Sequence, residues 1–225
     1  MAAGVDPELR RAKTVLFNTY LAPVTREFEF VRDSRIYRRF NEHGDCVLVE
    51  IQPSTMARFG VASYDFYVWL AVVPRPMLEY DVFRGRRVDF DKPNQMLGIS
   101  ERLRMSEPVG WPDLWRIDSV DSAHRVGAVL VDTLRPWLAE LERMLDRDYL
   151  VDRMTADVKY PFGFGRESML AVLLAERGMG GRLAALLDQF DEWHRNRALG
   201  DDEPEDTPPT PSPFADWIRA RVAAQ

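Results

Sequence analysis

Residues 64–73 read YDFYVWLAVV and run straight into Pro74, Arg75 and Pro76. Ten residues rich in aromatic and β-branched side chains, stopped by proline, read as a strand. A strand with one wet face alternates apolar and polar residues. This one is apolar almost throughout, so both of its faces are covered and its place is near the centre of a sheet. Upstream, CVLVEIQ (46–52) reads as a neighbouring strand, entered from a turn in NEHGD (41–45) where Gly44 is free to take positive φ. In EFEFVRDSRIYRRF (27–40) the period is two: Phe28 and Phe30 alternate with Glu27 and Glu29, and Ile36, Arg38 and Phe40 oppose Tyr37 and Arg39. The set is an antiparallel meander whose apolar face needs helices over it.

The helices are legible on either side. Asp6-Pro7-Glu8 is a helix start, with a capping carboxylate, a proline at the first helical position and an acid at the positive end. Leu9, Leu16 and Tyr20 then share a face, with Ala12 beside them, and the helix is expected to end before Pro23. Residues 77–118 carry weaker signals: a short helix and turn in PMLEYDVFRGRRVDF, a strand in MLGISERLRM and an irregular aromatic stretch in GWPDLWRID. After Asp118 a helical period returns through Val120, Ala123, Gly127, Leu130, Leu134, Leu138, Leu141 and Leu145. Pro136 lies inside that run, which predicts two helices or a kinked one. RGMGG (177–181) reads as the turn of a helical hairpin whose second arm lines up Leu183, Leu186, Leu187, Phe190 and Trp193.

The expected fold is therefore α+β: an antiparallel sheet of three to five strands covered by helices, with an α-helical C-terminal portion. Its parts divide as an α+β domain over 1–155, a hairpin over 156–199, an acidic proline-rich linker over 200–213 and an amphipathic helix over 214–225. The net charge of −6 disfavours sequence-independent binding to nucleic acid or to an anionic membrane. Nucleic-acid binding survives only if Arg84, Arg86 and Arg87 form a local basic patch. A single cysteine leaves no intrachain disulfide. The N-terminal residues carry no apolar leader segment, and a cytoplasmic protein without cofactor or metal is the plain expectation.

Chemistry-bearing residues are sparse. His43, His124 and His194 have no metal-ligand spacing, and Cys46, at the start of a strand, suits a buried inert thiol. In KYPFGFGRESML (159–170), Gly163, Gly165 and Arg166 precede a helix start that could hold an anion. Glu167 opposes that, and a structural loop is the plainer reading. Asp118 and Asp121, like Asp89 and Asp91, suit capping and loop solvation. Arg38, Gln52 and Trp115 are the candidate ligand set, an arginine and an amide on the sheet with an aromatic wall, against the plainer reading of an exposed face whose side chains cover one another.

The end of the chain is more informative. GDDEPEDTPPTPSP (200–213) combines charge and proline and cannot bury enough apolar surface to fold. Phe214, Trp217, Ile218 and Val222 then form an apolar stripe on a helix too short to be stable alone. It must dock on its own body, on a second copy in a homodimer, or in the groove of a protein partner. The tether keeps it concentrated near its own body, which favours the first.

The stretches FVRDSRIYRRF, VLVEIQPS, YDFYVWLAVVP, ERLRMSEPVGWPDLWRID and RPWLAELERML together resemble a bacterial domain-of-unknown-function family, number forty-three-oh-four, over about residues 10–195. The positions that carry the resemblance are Phe30, Tyr37, Arg38, Gln52, Val73, Trp115, Ile117 and Asp118. The chain departs from the pattern at Glu29, where a glycine is usual, and at Leu114, where a second tryptophan is common. The resemblance implies the α+β fold and no known activity; members of the family look like partners or immunity-type proteins of bacterial conflict systems. The expected function is a non-enzymatic protein–protein interaction module, immunity- or antitoxin-type. The alternative is a small-molecule-binding protein or enzyme with a cleft on the sheet.

Overall fold

The computed structural model describes residues 6–54, 63–105, 113–156, 165–198 and 212–225. Within them β1 (Val31–Asp33), β2 (Ile36–Phe40), β3 (Cys46–Pro53), β4 (Tyr64–Val73), β5 (Ile99–Arg102) and β6 (Trp115–Ile117) form one antiparallel sheet. The order is β1-β2-β3-β4, and β5 and β6 share the far side of β4. β5 pairs Trp69–Val72, and β6 pairs Tyr64–Phe66. β4 is thus paired along both sides, as a run apolar but for Asp65 requires.

Parity along the strands sorts the two faces. Val47, Val49 and Ile51 of β3 join Phe66, Val68, Leu70 and Val72 of β4 in the main core. Over them lie α1 (Pro7–Val15), a π-helical turn (Leu16–Leu21), α2 (Ala22–Glu27) and the long α4 (Val120–Arg143). Cys46, Leu48, Ala71 and Val73 point the other way, under α3 (Arg75–Phe83) and the segment carrying Val88, Phe90 and Leu97. The remaining helices are α5 (Arg147–Thr155), α6 (Arg166–Ala175), α7 (Gly181–Ala198) and α8 (Pro213–Ala223).

Three local expectations are corrected. The first helix does not stop before Pro23. Its turn widens, so that the Ala22 N–H reaches the Phe17 carbonyl, and Pro23 falls in the first turn of α2, where a missing N–H costs least. Residues 28–30 are not strand. The Phe28 and Phe30 N–H groups both return to the Thr25 carbonyl, and Glu29 sits at φ 62, the region glycine occupies without strain. Pro136 does not divide α4. It lies on the exposed side of one continuous helix, as does Asp132, so water can serve the carbonyl that the proline leaves unbonded.

α4 approaches the π-helical turn closely at Gly127, where an added Cβ would stand 2.5 Å from the Tyr20 ring. The Tyr20 hydroxyl also meets His124 Nδ1 at 2.9 Å. Gly127→Val therefore lowers stability by about 2 kcal/mol through overpacking, despite replacing a poor helix former. A denaturant titration reads this as a lower midpoint at unchanged slope.

A closed circuit of charges ties the helices to the sheet. The buried Asp45 carboxylate, in the β2–β3 turn, accepts Arg147 Nε (2.7 Å) and Nη2 (2.8 Å) from α5, and the Arg75 N–H (2.8 Å) that opens α3. Arg147 continues to Glu176 just past α6 (2.5 Å), and Glu176 accepts Arg221 of α8 (2.7 Å). Arg221 also reaches Glu79 of α3 (2.6 Å), which Arg75 closes at 3.3 Å. Burial alone pushes the Asp45 carboxyl up. The Arg147 guanidinium, the Arg75 N–H and the Asn41 amide outweigh that and hold it below the usual carboxylate range.

Candidate functional site

Arg38, Gln52 and Trp115 do not form one site. Directly opposed residues share a face of a sheet. Arg38 stands opposite Leu48 and Gln52 opposite Tyr67, on the α3 side, whereas Trp115 stands opposite Phe66 in the main core and is 1% exposed. Each polar group is also committed elsewhere. Arg38 Nε donates to the Pro93 carbonyl (2.7 Å), with Asp33 at 3.3 Å, and so fastens the segment after α3 to the sheet. Trp115 Nε1 donates to the Leu103 carbonyl (3.3 Å).

The aromatic partner of Gln52 is Trp69, whose Nε1 donates to Gln52 Oε1 at 2.7 Å. Beside it, the Arg102 guanidinium lies 4.1 Å from the Tyr67 ring centroid and 4.6 Å from that of Trp69, and pairs with Asp113 at 2.7 Å. This constellation was readable in part: Tyr67 and Trp69 share parity in β4, and only the pairing of β3 with β4 brings Gln52 to them.

Other candidates resolve into local duties. Cys46 is fully buried and its thiol is pushed up to about 12 by burial, far from thiolate chemistry. Arg166 donates to the Met154 and Ala156 carbonyls at the end of α5, so its guanidinium is spent on a helix terminus. Gly165 precedes α6 at φ 92, and Gly163 lies outside the described residues. Arg86 pairs with Asp81 (2.9 Å) and Arg84 lies over Tyr80, so two of the three arginines near residue 85 have neighbours of their own. Among the described residues no group of His, Cys, Asp and Glu is arranged to hold a metal ion, and no helix is long and apolar enough to cross a membrane.

The C-terminal stripe lies against α3, α6 and α7 of the same chain; the linker before it falls mainly outside the described residues. Phe214, Ala215 and Ile218 are buried among Ala171, Val172, Ala175, Leu183 and Leu187. Phe214 meets the rings of Tyr80 (4.8 Å) and Phe190 (4.9 Å) edge-on. Asp191 of α7 anchors the helix start, accepting the Ser212 N–H (2.8 Å) and the Arg219 guanidinium (2.5 Å). Trp217 and Val222 are half-buried, and Trp217 leans on Tyr80 and Phe83.

Around this docked helix lies an aromatic groove of about 520 Å³ between α3, α7 and the start of α8. Tyr80, Phe190 and Phe214 line it, with Arg84, Met96 and Trp193. Trp193, expected on the packed face of its helix, is 61% exposed, Met96 is 81% exposed and Phe83 nearby is 58% exposed. Helical spacing alone could not separate Trp193 from Leu183 and Leu187; in the fold it opens onto the groove instead of the core. No family model, no curated protein and no solved structure matches this chain, so its resemblance to the bacterial domain-of-unknown-function family rests on the quoted residues alone.

Proposed function

We propose that the chain is a cytoplasmic, non-enzymatic protein–protein interaction module of immunity or antitoxin type, which grips its partner in the aromatic groove beside α8. The supporting observation is the exposure of Trp193 and Met96 on the lining of one groove whose floor is already aromatic, with exposed Phe83 stacked on Tyr80 beside it. Large apolar side chains left in water on one surface mark interaction sites, and Trp, Tyr and Arg dominate binding energy at interfaces. Arg84 makes no ion pair among the described residues, so a partner presenting an apolar side chain with a neighbouring carboxylate matches both halves of the groove. On this reading α8 shapes the groove with Phe214 while Ala215 and Ile218 stay buried on its own body.

Capture from a lysate of the source organism by the tagged full chain is expected to yield one stoichiometric protein. The double substitution Phe83→Ser and Trp193→Ser weakens that complex by about thirtyfold or more, the effect of losing one or more hot spots of about 2 kcal/mol each. Retention of the partner at unchanged affinity, or no stoichiometric partner at all, sinks the reading.

A further inference from the structure

A second cleft, of about 700 Å³, lies between the π-helical turn, α2 and β1, lined by Asn18, Thr25, Arg26, Glu29, Arg32 and Tyr37. Three independent features mark it. Its wall includes a π-helical turn, a rare conformation that recurs at functional sites. Glu29 on its lining and Ser34 in the adjoining β1–β2 turn are both left-handed, at φ 62 and 59, strain that a surrounding structure must hold in place. The hydroxyl of Tyr37 is completely buried and has no hydrogen-bond partner among the described residues. Burial pushes that phenol up to about 12, so it keeps its proton and remains a donor at neutral pH.

The charge in the cleft is one-sided. Arg26 and Arg32 form no ion pair among the described residues, whereas the carboxylate of Glu29 is taken by Arg39 at 2.9 Å. Arg32 is poised: its Nε donates to the Ser34 carbonyl (2.9 Å), its Nη1 reaches Asn18 at 3.3 Å, and its guanidinium lies 4.9 Å from the Phe17 ring centroid and 5.8 Å from that of Tyr37. The long bond to Asn18 is the weak one. Arg32 and Tyr37 thus line one cleft, the guanidinium near the phenol ring. The apolar share of the lining comes from Ala22, Phe30 and Val31.

We propose that this cleft binds a small organic anion, a carboxylate or phosphate on an apolar body. Arg26 and Arg32 hold the charge, the Tyr37 hydroxyl donates to one of its oxygens, and the body rests on Ala22 and Phe30. Paired guanidinium and phenol donors beside an apolar wall suit such a ligand, and the volume lies in the range of metabolite sites.

The test is isothermal titration of the full chain with phenyl phosphate, benzoate, inorganic phosphate and benzyl alcohol. Saturable one-to-one binding of phenyl phosphate or benzoate is expected, and which of the two binds tighter tells phosphate from carboxylate. Arg32→Gln weakens that binding by about tenfold or more, as loss of a charge-assisted hydrogen bond should. Tyr37→Phe weakens it severalfold while the unliganded variant melts no lower than the parent, because an orphaned hydroxyl contributes nothing to the empty fold. Failure of both aryl anions to bind overturns the proposal. So does equal binding of benzyl alcohol or of inorganic phosphate alone, or an affinity that neither substitution changes.

Discussion

Replacing Asp45 with alanine lowers the stability of the fold by about 3–5 kcal/mol, the cost of breaking a buried ion pair by removing one partner. The side chain is buried and receives both Arg147 nitrogens, the Arg75 N–H and the Asn41 amide, so its loss strands several donors at once. A urea titration of the variant shows the drop directly. Asp45→Asn, which keeps the shape and loses the charge, falls in between. The pH dependence has a definite sign. The folded carboxyl titrates below its unfolded value, so its contribution is fully present above about pH 4 and is lost as the pH falls through the folded value. The parent therefore loses stability on acidification in a step that Asp45→Asn lacks, and parallel acid profiles of the two proteins would contradict the arrangement.

Ile218→Asp melts at the same temperature as a chain ending at residue 199. A carboxylate cannot remain at a position with no exposed surface and an aliphatic lining, so the cheapest response is release of α8 as a unit. The milder Phe214→Ala removes a ring held between Tyr80 and Phe190 and costs about 3 kcal/mol. For a chain of this size that corresponds to a melting temperature lower by roughly 6–12 °C. Light scattering completes the test. Unchanged mass assigns the contacts to one chain, whereas a dimer that truncation converts to monomer assigns them to an exchange between copies. An Ile218→Asp variant that melts with the parent means that α8 is not docked in solution.

How much of this was legible follows from the range of the interactions involved. β4 announced itself because being covered on both faces removes alternation, a purely local signature. The apolar stripe of α8 was equally local, but the surface that receives it is assembled from Tyr80, Val172, Leu183 and Leu187, which no window of sequence brings together. Trp115 was misassigned for a related reason. Its stretch reads as irregular, and the three residues of β6 become a strand only by pairing with Tyr64–Phe66, which turns the indole into the main core. Pro23 misleads because the π-helical turn carries the chain into α2 past it, and Phe28 because its N–H returns to the Thr25 carbonyl instead of entering a ladder. The second cleft gave no sequence signal, since an unpartnered hydroxyl is a property of the folded environment alone.

Arg221 is also the last member of its charge circuit to leave the ribosome, 45 positions after Glu176. At ordinary elongation rates that gap lasts roughly 2 to 9 seconds, during which the nascent chain holds Glu79 and Glu176 without their common arginine. Through the same interval Val172, Leu183 and Leu187 lack the cover of Phe214 and Ile218. The growing polypeptide thus passes through a stage with a sticky aliphatic flank beside two acids that have only Arg147 and Arg75 to offset them, a surface on which a chaperone, or a second chain on the same messenger, could act before the finished protein closes it.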